Sequence, residues 1–206
     1  MDYLMVLSPL DQIKEIIKTH KLESAKIIGD YEAMHSVAHI SIANLVRQKD
    51  YLTEPQISLA EKKLKTLPPI ELTIDGFDHF SHGEDFKTIY ARIRSTPTTV
   101  RWFKELKKPL NVKQYLVPHI TIARNIPVEQ FNQLWPRFKD ARWVETFSAD
   151  RLTVLHRETF ASFANWELYK ELPFEGKIPF EEAKPTHKAI DLRKGNYAAS
   201  QQISLF

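Results

Sequence analysis

The sequence of 206 residues contains no cysteine. A chain without cysteine has no disulfide framework, no thiolate zinc site and no cysteine nucleophile. No segment approaches the roughly 18 consecutive apolar residues that a membrane span requires. The first residues, Met1 to Pro9, carry neither a basic leader nor the apolar run of a signal peptide. Together these absences predict a cytoplasmic enzyme or binding protein with no membrane partner.

The excess of positive charge is also small. The chain has 29 Lys and Arg against 26 Asp and Glu, a net charge of +3. A protein that coats nucleic acid in general needs a larger excess or a clear basic stripe. Hydrophobic residues make up 43% and charged residues 27%, which excludes collagen-like and wholly disordered chains. The composition is compatible with an anionic substrate, and the length fits one domain or two small lobes that share a cleft.

Hydrophobic periodicity predicts alternating strands and helices over most of the chain. The second helix is expected to open at Thr53, as its N-cap, with Pro55 in the first turn. Residues 1–174 are expected to form the folded domain, and 175–206 a tail with few large apolar groups. The pattern indicates an α+β fold of mostly antiparallel sheets with outer helices. Strands are predicted at 3–8, 37–45, 70–77, 88–94, 117–124, 151–156 and 166–169, and helices at 10–20, 53–67, 98–107 and 128–138.

One eight-residue segment occurs twice. Val-Ala-His-Ile-Ser-Ile-Ala-Asn covers residues 37–44, and Val-Pro-His-Ile-Thr-Ile-Ala-Arg covers residues 117–124, 80 residues later. Five of the eight positions are identical, and a sixth exchanges Ser41 for Thr121. Each copy is followed by a helical pattern and then by a pair of strands. The repeat predicts an internal duplication, with two pseudo-symmetric lobes and an active cleft between them.

Strand geometry gives this repeat a chemical meaning. Side chains at positions i and i+2 of a strand share a face, so His39 lies beside Ser41 and His119 beside Thr121, with the isoleucines on the opposite, buried face. If the lobes meet about a two-fold axis, two imidazoles and two hydroxyls converge on one cleft. Histidine can accept and donate protons near neutral pH, and hydroxyls can hold phosphate oxygens. The arrangement suits in-line displacement at phosphorus, and it requires no metal and no cofactor.

The paired motifs resemble those of the 2H phosphoesterase superfamily, whose best-known branch is called the 2′-5′ RNA ligase family. The likeness covers about residues 1–172. It implies a two-lobed fold and metal-independent cleavage of cyclic phosphodiesters, typically the 2′,3′-cyclic phosphates of RNA ends or small nucleotides. Carried over by position, it implies that His39 and His119 are the acid/base pair and that Ser41 and Thr121 bind phosphate.

Further substrate-binding candidates lie outside the paired His-x-Ser and His-x-Thr positions. Tyr90, Arg92 and Arg94 alternate on one predicted face, where they either stack bases and attract anions or form an ordinary solvated surface. Arg124 follows the second motif. Strict alternation places residues 119, 121 and 123 on one face, so Arg124 contacts phosphate only if the strand bends; otherwise it forms a surface ion pair.

The last five residues provide a separate signal. Gln202-Ile203-Ser204-Leu205-Phe206 resembles the short peptides with which bacterial replication and repair proteins dock onto the sliding clamp. In that mode Gln202 makes polar contacts while Leu205 and Phe206 fill an apolar pocket. The alternative is an apolar end that packs back onto its own domain.

Three other interpretations remain open for the histidines. They are half-buried strand residues bonded to the backbone, or members of a non-catalytic module that binds RNA or nucleotide ends, or catalysts of the reverse reaction, which joins RNA ends through a 2′–5′ bond. All three involve the same residues, so the sequence does not separate them.

Overall fold

The computed structural model describes residues 1–113, 116–161 and 165–177. The fold is α+β, with eight strands and four α-helices in this part of the chain. In chain order the elements are β1 (Asp2–Leu7), α1 (Asp11–Ile28), β2 (Ile40–Leu45), α2 (Asp50–Leu64), β3 (Ile70–His82), β4 (Phe86–Ile93), α3 (Pro97–Lys107), β5 (His119–Pro127), α4 (Val128–Leu134), β6 (Val144–Ala149), β7 (Arg151–Arg157) and β8 (Glu167–Pro173).

The strands form two four-stranded antiparallel sheets. Sheet A has the order β2-β1-β7-β8, and sheet B has the order β5-β4-β3-β6. Each sheet ends in a motif strand, β2 or β5, and each motif strand is joined to its neighbour through one helix, α1 or α3. The two motif strands contact each other. The predicted pseudo-symmetry therefore holds at the level of topology, and it brings the two copies of the repeat together.

A single hydrophobic core holds the two sheets together. Helix α1 follows β1 of sheet A, yet it packs against β5 and α4, which belong to the other half. Its apolar side carries Ile13, Ile17 and Ile28, spaced for one helical face. The backbone of α3 begins at a reciprocal cap between Thr96 and Thr99. Because helix α1 crosses between the halves, the relative placement of β2 and β5 is fixed by core packing.

The structure differs from the predicted secondary structure in several places, among them helix α1, which continues to Ile28 where the sequence predicts an end near residue 20. The sixth strand, β6, was not predicted, because it is an edge strand with only Phe147 and Ala149 buried and therefore carries a weak apolar signal. Helix α2 begins at Asp50 instead of Thr53, and Thr53 Oγ1 donates to the carbonyl of Lys49. Pro55 lies inside this helix, where its ring removes one bond to Tyr51, a residue exposed enough for water to satisfy its carbonyl.

None of the helices in the described ranges is long and apolar enough to cross a membrane. The backbone N–H groups of Glu175 and Gly176 donate to carbonyls of Lys65 and Leu67, so the chain stays attached to the end of α2 just beyond the predicted boundary at 174. Gln202, Leu205 and Phe206 lie outside the described residues, and the predicted clamp-docking peptide stays a prediction.

Candidate active site

His39 and His119 occupy matching places at the starts of the motif strands. The Nδ1 atom of His39 lies 2.7 Å from the carbonyl oxygen of Val37, and that of His119 lies 2.8 Å from the carbonyl oxygen of Val117. A carbonyl only accepts, so Nδ1 carries the hydrogen in both rings and Nε2 holds the lone pair. Both histidines thus make the backbone hydrogen bond that a purely structural role also predicts. This bond uses Nδ1 and leaves both Nε2 atoms able to exchange a proton.

The two rings lie within electrostatic reach of each other. Burial lowers the pKa of His119 to about 4, against the bond to Val117, and the charges of Arg124 and His39 lower it further. Burial also lowers the pKa of His39, with smaller contributions from Lys21 and Arg124. Both rings are therefore neutral at neutral pH, and His39 contributes to the electrostatic environment of His119.

The hydroxyls lie where strand alternation predicts. Ser41 pairs with Val6 across sheet A, and Thr121 pairs with Tyr90 across sheet B. Both residues are half-buried, while Ile40 and Ile120 between the motif positions are fully buried in the core. In the described part of the chain neither hydroxyl has a hydrogen-bond partner of its own. Each half thus presents one imidazole and one hydroxyl on the face turned away from the core.

Both motif strands carry a β-bulge at the same place. In sheet A the register passes from Val6 opposite Ser41 to Met5 opposite Ala43, so Ile42 is the extra residue. In sheet B the partner of Thr121 is Tyr90 and the partner of Ala123 is Ile89. An extra residue reverses the alternation beyond it. This bend places Asn44 on the face of Ser41.

By the same geometry Arg124 lies on the face of Thr121, where strict alternation does not place it. Its charge lowers the pKa of both motif histidines. Its nearest carboxylate is that of Glu32, 3.8 Å from Nη1, a long and partly exposed ion pair. The structure therefore places Arg124 on the face of the site, with one long ion pair to Glu32 among the described residues.

Two stacked aromatic rings pack against His119. Phe80 stacks on Tyr90 with ring centroids 4.2 Å apart, and each ring lies 5.0 Å from the imidazole of His119. Tyr90 is only 4% exposed, and burial together with the charge of Asp78 raises the pKa of its hydroxyl. Tyr90 therefore supports the imidazole from within the sheet. The half-buried ring of Phe80 covers it and is the one that offers a surface to a ligand.

Arg92 lies beside His119 in the register but is engaged elsewhere. Its Nε donates to the carbonyl of Asp75 at 3.0 Å, and Nη2 lies 3.6 Å from the Asp75 carboxylate. Arg94 shares that carboxylate at 3.5 Å. The predicted alternation of Tyr90, Arg92 and Arg94 is present, but Asp75 compensates part of the positive charge.

Two residues of the site's surroundings escaped the sequence reasoning. Phe80 was missed because its position over Tyr90 depends on the β3–β4 register. Lys21 is 1% exposed, and its Nζ donates to the carbonyls of Ala33 and Ser36 and to the Ser36 hydroxyl. Burial, aided by Arg124, lowers its pKa to about 8. A signal existed for Lys21, since it interrupts the apolar stripe of α1 between Ile17 and Ile28.

Lys21 and Tyr31 fix the loop that precedes His39. The single hydrogen of the Tyr31 hydroxyl is shared between the carbonyls of Lys21, at 3.0 Å, and Ile122, at 3.2 Å. Since Ile122 is the bulge residue of β5, the loop before His39 is tied to the second motif strand. The described residues contain no group of three or more His, Asp or Glu side chains that could hold a metal ion.

Comparisons with known proteins agree with this architecture. The model of the 2′-5′ RNA ligase superfamily matches residues 9–159, whereas no curated protein matches the chain. TT0787 of Thermus thermophilus superposes with a TM-score of 0.63 at 11% identity, covering 86% of this chain and 100% of that one. E. coli LigT complexed with 3′-AMP gives 0.58 at 13%, covering 84% and 97%. A structure described as a phosphoesterase gives 0.56 at 13%, covering 84% and 98%.

At such identities the solved structures establish a shared fold, and the family follows from the sequence match. That match spans both motifs, from before His39 to beyond Thr121. The resemblance drawn from the two repeated segments is confirmed: the chain belongs to the 2′-5′ RNA ligase superfamily of 2H phosphoesterases.

Proposed function

We propose that this protein is a metal-independent phosphodiesterase that opens 2′,3′-cyclic phosphates of RNA ends or small nucleotides. The observation that carries the proposal is the matched pair of imidazoles, each fixed through Nδ1 to a carbonyl two residues earlier. Two Nε2 atoms held in the same way by two neighbouring strands suit a reaction in which one proton is removed and another is supplied.

In the proposed reaction a water oxygen attacks phosphorus as one histidine removes its proton. The bond from phosphorus to one ribose oxygen breaks, and the other histidine donates a proton to that oxygen. Ser41 and Thr121 donate hydrogen bonds to the non-bridging phosphate oxygens, and Arg124 offsets their negative charge. The anion also raises the pKa of the neighbouring imidazoles, so that one of them carries the proton the leaving oxygen needs.

Nucleotides are the supported ligand class. Structures of LigT hold 3′-AMP, phosphate, ATP and NADP⁺. A feature of this chain suited to a nucleotide is the ring of Phe80 at the edge of the site, stacked on Tyr90 within 5.0 Å of His119. A nucleobase attached to a phosphate between the histidines reaches such a ring by stacking.

A direct test is incubation with 2′,3′-cyclic nucleotides in excess chelator, followed by analysis of the products. The proposal expects undiminished turnover to a single ribose monophosphate isomer. Loss of turnover on chelation contradicts the mechanism. Tight binding of the nucleotides without any product supports the non-catalytic module instead, and joining of two RNA ends without hydrolysis supports ligation.

The clamp peptide rests on sequence alone and adds a second partner to the proposal. We propose that Gln202, Leu205 and Phe206 dock onto a bacterial sliding clamp in the cytoplasm. Pull-down of purified clamp by the full chain is expected to fail when Leu205 and Phe206 are changed to Ala. Equal recovery by the variant and the native chain excludes the docking peptide.

A further inference from the structure

The face of sheet A that carries Ser41 continues as a strip away from the histidines. Residues opposite each other in antiparallel strands share a face, so Val6, Ser41 and Thr153 form one rung. Leu4, Asn44 and Leu155 form the second rung, and Asp2 with Arg157 forms the third. From Val6 to Asp2 the strip extends roughly 14 Å at the rise of an antiparallel strand.

The far end of the strip is an arginine–aromatic cluster made of Arg47, Arg157, Phe160 and Trp166. The Arg157 guanidinium lies 4.6 Å from the centroid of the Trp166 ring, and that of Arg47 lies 6.0 Å from the Phe160 ring. Phe160 is 83% exposed. A ring so exposed, with arginines at the end of the sheet beside it, is a surface suited to contact with a ligand.

A buried carboxylate organises this cluster. Asp2 is 3% exposed and accepts hydrogen bonds from the Arg47 backbone N–H, the Thr159 hydroxyl and Arg157 Nε. It therefore joins the ends of β2 and β7 and the turn that carries Phe160. Arg47 itself lies in the left-handed region at φ 55°, a conformation that costs a non-glycine residue energy and that this bond holds in place. Asp2 compensates Arg157, whereas the Arg47 side chain has no carboxylate partner in the described ranges.

The middle of the strip is apolar with one unsatisfied polar atom. Leu155 is half-buried, and Leu168, its partner on β8, is 61% exposed. Asn44 Oδ1 is buried and accepts no hydrogen bond within the described structure. Buried acceptors are nearly always paired, so this oxygen calls for a donor such as a base amino group or a ribose hydroxyl.

Building on the proposed function, we propose that this strip binds the nucleotides that precede the terminal phosphate of a single-stranded RNA. The terminal phosphate lies between the histidines, the next ribose and base cross Leu155 and Leu168 near Asn44, and an earlier base stacks on Phe160 or Trp166. Arg47 contacts the backbone phosphate. Aromatic rings, cations and an apolar surface together bind single strands without regard to sequence. The substrate is then an RNA end, and a mononucleotide fills only part of the site.

The test is the affinity of the full chain for a short single-stranded RNA ending in a 3′-phosphate, compared with the matching 3′-mononucleotide. Stacking of one base is expected to make the RNA bind about 5- to 100-fold more tightly. Phe160→Ala and Trp166→Ala remove most of this gain and leave mononucleotide binding unchanged. Phe160 is exposed, so its replacement does not threaten the fold.

Arg47→Ala is expected to lower the slope of log affinity against log salt by about one for the RNA alone. Arg142→Ala is the matched control that leaves both ligands unaffected, because this exposed residue lies beside β6, the edge of sheet B opposite the motif strand β5. Equal affinity for the two ligands, or an equal loss for both in the strip variants, overturns the proposal. Since binding is measured without turnover, a strip that binds RNA while no cyclic phosphate is opened refutes only the proposed reaction.

Discussion

The two halves of the site share a backbone and differ in what surrounds it. Both motif strands have a histidine bonded to a carbonyl two residues earlier, a hydroxyl beside it and a bulge after it. His119, however, is buried against the stacked rings of Phe80 and Tyr90 and is followed by Arg124, whereas the half-buried His39 is followed by Asn44. The geometry common to both halves suits the binding of one phosphate by an equivalent histidine and hydroxyl from each half. Their different surroundings suit an unsymmetric ligand.

The largest expected effect comes from either histidine. His39→Asn or His119→Asn keeps an amide N–H that can bond to the carbonyl of Val37 or Val117, and it removes the Nε2 atom. Each is expected to lower kcat for a 2′,3′-cyclic nucleotide about 10²- to 10⁴-fold, because one proton transfer is lost.

His35→Asn is the control, since His35 is exposed and outside the paired motifs. Circular dichroism checks that each variant is folded. A loss below tenfold in both motif variants means that another group performs the proton transfers.

The next effect separates the two residues that follow the bulges. Arg124→Asn is expected to reduce kcat/KM about 10²-fold, because a charge facing the phosphate is removed. Asn44→Ala is expected to change mononucleotide turnover by less than about threefold, since its amide faces the RNA strip. Steady-state kinetics on a cyclic mononucleotide measures both. Equal losses contradict the division of roles between the halves.

A smaller effect concerns stability against pH. The His119 pKa of about 4 lies below the 6.5 of the unfolded chain, so between these values the unfolded state binds more protons. Stability is therefore full above pH 6.5 and falls by about 3 kcal/mol as the pH drops to 4.

Urea denaturation at several pH values is expected to show a flatter profile for His119→Asn than for the native chain. His39→Asn flattens it less, because the His39 ring is less buried. Identical profiles for the native chain and His119→Asn contradict the depressed pKa.

The smallest effect tests the contacts of Lys21 with the loop before His39. Lys21→Met fills the same space but removes the Lys21 donor from the carbonyl of Ser36, which costs about 1–3 kcal/mol of unfolding free energy. It also raises the pKa of His39, because a nearby positive charge is lost. Histidine NMR titration is expected to show this shift at His39. An unchanged His39 pKa removes Lys21 from the site's electrostatics.

The repeated segments were enough to predict the family and the two-lobed architecture in which the two motif strands meet, whereas the roles of His39 and His119 stay a prediction. Alternation and apolar periodicity are local, so they survive in the sequence. The edge strand β6 was not predicted because only Phe147 and Ala149 are buried in it, which gives a weak apolar pattern.

The position of Arg124 depends on the bulge at Ile122, which is a property of pairing with β4. Phe80 reaches His119 only through the β3–β4 register, and Lys21 reaches the loop before His39 only through the packing of α1. Contacts between distant segments of the chain determine these features, and local patterns do not encode them.

The most direct test of the account is a crystal structure of the protein with a nucleoside 3′-phosphate. The account predicts a phosphorus atom between the two imidazoles, with Nε2 of both His39 and His119 and the hydroxyls of Ser41 and Thr121 within hydrogen-bond distance of its oxygens. A phosphate bound to one histidine alone, or bound elsewhere at full occupancy, contradicts it.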